Sequence, residues 1–314
     1  MSFSNDVRNE LARIIPEKSC CQKAELSAMV ALKGNLQTDP VGAYILQVEM
    51  DSAAAARKVY RLMKNLYEIQ PTVSMRENRR FRKTRVYLVT VRILPEQNWI
   101  LGDLGLMDQH GIIRQEPRAG HIRKNCCRRA YIRGVFISRG SINRPEGTYH
   151  LEMVFSEARL PLQVQKILSR FHIEARLSER KNGLLVLYIK ESEAIVDFLR
   201  LVGASSALLE FENVRIIKSV RNQVNRQVNC ETANLARMVD ASVRQVELIE
   251  QLIEKEGIKG LPHNFRELAL LRIEHPDSTL RELGTLLDPP LSKSGVAYRM
   301  RKLEEYAQER LQDT

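Results

Sequence analysis

One nine-residue pattern occurs twice in this chain, and everything else has to fold around that duplication. The first copy is Leu26-Ser27-Ala28-Met29-Val30-Ala31-Leu32-Lys33-Gly34 and the second is Ile132-Arg133-Gly134-Val135-Phe136-Ile137-Ser138-Arg139-Gly140, an offset of 106 residues. Neighbouring residues keep the same offset: Cys20 and Cys21 with Cys126 and Cys127, Ala24 with Ala130, Ala28 with Gly134, Gly34 with Gly140. Small residues recur at helical spacing in each copy, Ala24 and Ala28 in one and Ala130, Gly134 and Ser138 in the other. Each run closes on a glycine that can end a helix. A row of small side chains lets two helix backbones approach closely, so the copies are expected to pack together along a pseudo-twofold axis.

The flanking periodicities repeat as well. Val7, Leu11, Ile14 and Ile15 mark a short amphipathic helix before Pro16. After the first copy come strand-like runs at 34–37 and 43–50, a helix at 52–67, strands at 72–76 and 85–94, and a short helix opened by Pro95. The second copy is followed by strands at 141–143 and 148–155, a helix at 156–171, and a hairpin turned by Lys181-Asn182-Gly183. Helices at 191–202 and 204–217 finish this half. Each half therefore reads α-β-β-α-β-β-α, and each half checks the other.

Both nine-residue copies resemble the LAGLIDADG helix of homing endonucleases. The resemblance implies two αββαββα halves whose motif helices form their mutual interface. In that family the residue before the final glycine is acidic, and the two acids hold the metal ions that cut DNA. Lys33 and Arg139 stand at those positions here. A cation cannot coordinate a divalent metal or help it activate water. The fold is expected without its cleavage chemistry, and no catalytic residue is assigned.

Charge points to a polyanionic partner. The 314 residues carry a net charge of +11, and 15 Lys plus Arg against 5 Asp plus Glu fall between Arg76 and Arg139. The densest part is Arg76, Arg79, Arg80, Arg82, Lys83 and Arg85, at an expected hairpin tip, with a second group at Arg123, Lys124, Arg128 and Arg129. A charge run is usually a solvated surface; concentrated at a hairpin, it favours phosphate contacts. No apolar run is long enough to span a bilayer, and the first residues lack the apolar core of a signal peptide. No membrane partner is expected. Five cysteines in a chain of this length favour a reducing compartment, so the protein is expected in the cytoplasm, on the nucleoid.

The paired cysteines raise the question of a metal. Adjacent helical residues point about 100° apart, which makes each pair a poor chelate. They are read as small apolar residues at one end of the helix pair, with no metal and no cofactor assigned.

After Lys218 the character changes. Residues 219–231 are polar and read as a junction or helical tether, after which Thr232 is expected to cap a helix reaching Leu252. Another helix is expected at 264–274. Thr279 and Glu282 have capping-box spacing, with Leu280, Leu283 and Leu287 as an apolar face and Gly284 where a crossing helix can approach. Asp288-Pro289-Pro290 stops that helix, and Ser292 caps the next, whose inner stripe is Val296, Met300, Leu303 and Ala307. The opposite face carries Ser294, Tyr298 and Arg301, flanked by Lys293, Arg299 and Lys302, residue types suited to base edges and phosphates. This is a helix-turn-helix plan, similar to the DNA-reading region of bacterial sigma factors.

A degenerate LAGLIDADG pair joined to a helix-turn-helix resembles the WhiA-type sporulation and cell-division regulators of Gram-positive bacteria. The runs Cys126-Cys127-Arg128-Arg129-Ala130-Tyr131, then Arg133-Gly134, and His275-Pro276-Asp277-Ser278-Thr279-Leu280-Arg281-Glu282-Leu283-Gly284 carry the likeness. It implies an α+β chain with LAGLIDADG-like halves at 1–118 and 119–218 and an all-α DNA-binding domain at 219–314. It also implies a transcription factor bound to double-stranded DNA and linked to cell division and chromosome segregation, with other transcription factors or RNA polymerase as further partners. Two other readings stay open. One is a working endonuclease, against which Lys33 and Arg139 argue. The other is a ligand- or protein-sensing scaffold that modulates the helix-turn-helix; no Gly-rich phosphate loop of Walker or Rossmann spacing marks a nucleotide site.

Overall fold

A computed structural model of the chain describes residues 2–40, 42–78, 84–107, 119–157 and 159–312. The architecture is α+β, with two compact units at Met1–Lys218 and Ser219–Thr314. In the first unit α1 (Phe3–Arg13) precedes α2 (Ser19–Lys33), β1 (Gly34–Thr38), β2 (Tyr44–Met50), α3 (Ala53–Tyr67), β3 (Thr72–Asn78), β4 (Thr84–Ile93) and α4 (Trp99–Leu104). The second half repeats the order with α5 (Asn125–Arg139), β5 (Gly140–Ile142), β6 (Leu151–Phe155), α6 (Arg159–Ser169), β7 (Arg176–Glu179), β8 (Leu185–Ile189) and α7 (Ser192–Val202). Each half holds one antiparallel sheet, ordered β1-β2-β4-β3 and β5-β6-β8-β7.

Alternation decides which sheet face is buried. Leu46, Val48 and Met50 on β2 join Val89, Val91 and Ile93 on β4 in the core, and Leu151, Met153 and Phe155 do the same on β6. Register follows: Val48 pairs with Val89 and Leu46 with Val91, so apolar partners lie side by side on one face. The core is continuous through both halves, because α2 and α5 are shared between them.

These two motif helices lie against each other as parallel rods. The cysteines at their N-termini meet, Ala28 and Gly134 meet midway, and near the far end Arg139 donates to the Leu32 carbonyl at 3.0 Å. The terminal glycines end the helices as expected, in extended rather than left-handed backbone. Gly34 and Gly140 have φ of −84° and −83°, and the chain passes straight into β1 and β5. Their lack of a side chain matters for space instead: a Cβ at Gly140 would fall 2.2 Å from the Phe136 ring.

The remaining helices are α8 (Ser205–Glu256), α9 (His263–Glu274), α10 (Leu280–Leu286) and α11 (Lys293–Gln312). Here the expectation of separate helices at 204–217 and from Thr232, with a junction between, is corrected. Helix α8 runs unbroken for 52 residues, and Thr232 lies inside it rather than capping it. The polar stretch contains neither glycine nor proline, so nothing in its backbone interrupts the hydrogen-bond ladder. In the second unit Ile249, Leu252, Leu261, Leu268, Leu283, Leu287, Val296, Met300, Leu303 and Ala307 form a separate core. No helix among the described residues is long and apolar enough to cross a membrane.

Candidate nucleic-acid interface

The far end of the helix pair, where the endonuclease family keeps its acids, is occupied by cations that have partners. Lys33 Nζ lies 3.2 Å from Asp51 Oδ2, and Arg139 is engaged by the Leu32 carbonyl. Asp51 is shared with Arg8 at 3.8 Å. Carboxylate density at this end is thus already neutralised by positive charge, a poor setting for a divalent cation.

A buried charge cluster fixes the same two helices higher up. Glu25 on α2 is fully buried, and Arg133 on α5 forks onto it, Nε to Oε1 at 2.9 Å and Nη2 to Oε2 at 3.1 Å. Lys58, reaching in from α3, also pairs with Glu25 and donates to the carbonyls of Leu11 and Ile14 at 2.8 and 2.6 Å. Arg133 further donates to the Val202 carbonyl at 3.1 Å. Two cations share one carboxylate, and main-chain carbonyls take up the excess positive charge. Burial lowers the Lys58 pKa to about 8; Glu25 opposes that shift, and Arg133 adds to it. The cluster joins α1, α2, α3, α5 and the end of α7 at one point.

The basic hairpin is placed in part. Strands β3 and β4 form it, with Arg76 opposite Val86 and Glu77 opposite Arg85, and the side chains of Arg76 and Arg85 are exposed. Arg79, Arg80, Arg82 and Lys83 lie outside the described residues. Residues not singled out from sequence join this region. Arg8 and Arg13 from α1, Arg57 and Arg61 from α3, and Arg85 from β4 line one cleft of about 930 Å³, with Asp51 and Glu77 as its acids. Arg57 and Arg61 are one helical turn apart, which is the only local trace of this arrangement in the sequence.

In the C-terminal unit the caps form as their spacing requires. The Thr279 hydroxyl accepts from Glu282 N–H at 3.2 Å, and the Glu282 carboxylate accepts from Thr279 N–H at 2.7 Å. That donated N–H holds the Glu282 carboxyl below the usual range. Ser292 Oγ accepts from Gly295 N–H at 3.2 Å at the start of α11. Gly284 is where the helices close up: a Cβ there would stand 2.3 Å from the Leu291 carbonyl oxygen. Buried Arg272 on α9 fastens the approach to α10, donating to the Ser278 carbonyl at 2.8 Å and the Pro276 carbonyl at 3.3 Å.

With Val296, Met300, Leu303 and Ala307 all buried, the opposite side of α11 faces outward. Lys293, Ser294, Tyr298, Arg301 and Lys302 are exposed, Tyr298 by 59%. Arg299 is only half-buried and sits at the margin of that face. The Arg301 guanidinium lies 5.7 Å from the Tyr298 ring centroid, and Lys302 pairs with Glu305 at 2.6 Å. The face offers a hydroxyl, an aromatic edge and cationic donors on one rigid helix, a set able to contact base edges and phosphates together.

Known proteins resemble the chain along its whole length. Residues 19–107 match the description "WhiA N-terminal LAGLIDADG-like domain", 128–221 "WhiA LAGLIDADG-like domain" and 224–307 "WhiA C-terminal HTH domain". The probable cell division protein WhiA of Syntrophomonas wolfei is 56% identical over 100% of both chains. That of Desulfitobacterium hafniense strain DSM 10664 / DCB-2 is 49% identical, covering 98% of this chain and 96% of the relative. Among solved structures, full-length DUF199/WhiA from Thermatoga maritima superposes with a TM-score of 0.59 at 26% identity, over 98% of this chain and 99% of that one.

Proposed function

The chain belongs to the WhiA family, and from that premise we propose that it is a sequence-specific DNA-binding regulator that holds its target without cutting it. The observation that carries this reading is the outward face of α11, where Ser294, Tyr298 and Arg301 stand opposite a fully buried stripe. The helix is held at its start by Ser292 and closely packed on α10 at Gly284, so its outer residues are presented on a fixed support. Arg76 and Arg85 with the rest of the hairpin, and the arginines of the neighbouring cleft, add phosphate contacts that do not depend on sequence. The pairing of Lys33 with Asp51 and of Arg139 with the Leu32 carbonyl supports an inactive former metal end. Relatives named as probable cell division proteins support a role in cell division; this reading extends it to chromosome segregation at the nucleoid and, in sporulating relatives, to sporulation. Other transcription factors or RNA polymerase are the further partners of this reading.

Selecting bound fragments from a genomic library, then incubating the selected DNA with the protein and Mg2+ or Mn2+, tests both halves of the proposal. Enrichment of a common sequence that stays intact is expected. Random recovery of fragments would remove the specific-binding reading. Metal-dependent cutting that persists through purification and disappears in Lys33 or Arg139 variants would restore the endonuclease.

A further inference from the structure

Four of the five cysteines converge at the N-terminal end of the helix pair. The Sγ atoms of Cys20, Cys21, Cys126 and Cys127 all lie within 4.8 Å of one another, and those of Cys126 and Cys127 are 3.9 Å apart. A tetrahedral tetrathiolate with metal–sulfur bonds of zinc length requires sulfurs about 3.8 Å apart. Each adjacent pair is a poor chelate by itself; the pseudo-twofold packing puts the second pair opposite the first. Cys21 faces Cys126 and Cys127 faces Cys20, so the sulfurs meet between the helices rather than along one of them.

The two helix ends bring positive potential to this cluster. Cys20 and Cys21 occupy the first turn of α2, and Cys126 and Cys127 that of α5. Because the helices are parallel, both positive dipole ends are directed at the same place. Neither helix has a side-chain cap at its N-terminus: Lys18 and Lys124 hold those positions and make no capping bond. Lys18 also acts on Cys126, whose pKa is lowered chiefly by its hydrogen bond with Cys21. Burial raises Cys21 to about 11 and pushes Cys127 up too. Cys21 and Cys127 are buried while Cys20 and Cys126 are half-buried, which leaves a way in from solvent.

We propose that Cys20, Cys21, Cys126 and Cys127 form a structural site for one thiophilic divalent cation, zinc first, that clips the two motif helices together. On binding, four S–H protons leave to solvent and four sulfur–metal bonds form. The ion keeps its charge, no electron moves, and the net charge of −2 is met by the two helix termini and Lys18. Zinc over a harder cation follows from an all-sulfur donor set. The site ties two segments far apart in sequence, so its loss is felt as stability.

The test uses the full chain carrying Cys230→Ser, which removes the exposed fifth thiol. The fully reduced protein is titrated with Co2+ and then Zn2+. Expected are one ion per chain, the intense visible bands and sulfur-to-cobalt charge transfer of tetrahedral thiolate-bound Co2+, their bleaching by Zn2+, and a raised melting temperature with Zn2+. Cys20→Ser with Cys126→Ser should abolish the spectrum and the thermal shift. The titration of the unsubstituted cluster decides the question even if that double variant does not fold. Four reactive thiols with no cobalt spectrum would overturn the proposal in favour of simple packing. Recovery of cross-helix disulfides in a protein that binds no metal after reduction would overturn it in favour of a redox pair.

Discussion

Ala28 and Gly134, which hold the same position in the two copies of the repeat, face each other where α2 and α5 pack in close contact. A Cβ on Gly134 would stand 3.1 Å from that of Ala28 and 2.5 Å from the Glu25 carbonyl oxygen. Residues at one repeat offset meeting each other is what a pseudo-twofold axis between the helices requires. Even alanine at 134 would press on main chain, and leucine has no space at all. Gly134→Leu is expected to destabilise the first unit by about 1–3 kcal/mol or more. Thermal unfolding indistinguishable from the parent would show that the crossing is looser than this geometry.

The charge cluster beside that crossing sets a second expectation. Among the described residues, Glu25 is the only carboxylate paired with both Lys58 and Arg133, so Glu25→Gln leaves the buried Lys58 and the partly buried Arg133 without a counter-charge. Breaking a buried pair from one side costs about 3–5 kcal/mol. Denaturant unfolding followed by circular dichroism would measure it, and a change below about 1 kcal/mol, the scale of an exposed ion pair, would mean that water reaches the cluster.

On α11 the expectation concerns specificity. Tyr298→Ala or Arg301→Ala should weaken binding to the selected sequence by about 1–3 kcal/mol if each side chain makes one good base contact. Affinity for random DNA should change much less. Equal losses on both kinds of DNA, read by fluorescence anisotropy, would assign these residues to the phosphate backbone.

The hairpin should behave in the opposite way. Neutralising Arg79, Arg80 and Arg82 is expected to weaken selected and random DNA alike. It should also flatten the slope of log affinity against log salt by about 0.9 for each phosphate that the protein no longer neutralises. Salt titrations with unchanged slopes would take the hairpin away from DNA and leave it as a surface for a protein partner.

Acid should weaken the helix-turn-helix through its cap. The folded Glu282 carboxyl is lowered by the Thr279 N–H, so its contribution is complete above the ordinary carboxylate range. It is lost as pH falls through the lowered folded value. The melting temperature of Glu282→Ala should therefore lie below that of the parent at neutral pH and converge with it in acid. A gap that stays constant with pH would show that the ionised carboxylate contributes nothing through this bond.

What was legible from sequence is what nearby residues impose on one another. The offset between the copies announced the paired halves, the apolar run at 85–94 marked the strand that forms at Thr84–Ile93, and Thr279 with Glu282 and Ser292 marked helix starts that form as their spacing requires. The strand and the caps rest on interactions within a few residues, where periodicity and capping chemistry act directly; the halves were legible because the same local pattern is written twice. Helix α8 shows the limit of such signals: residues 219–231 are polar enough for a junction, yet without glycine or proline they are equally able to continue a helix.

Only the tertiary structure decided which distant residues share a site. Glu25 with Lys58 and Arg133, the arginines of α1 and α3 around Arg85, and four cysteines drawn from two separated pairs are brought together by packing alone. Position along a helix says which way a side chain points, but not what it meets there. For the cysteines the difference is concrete: sequence showed two pairs diverging by helical geometry, and the close, parallel approach of α2 and α5, permitted by Ala28 and Gly134, turned their divergence into convergence.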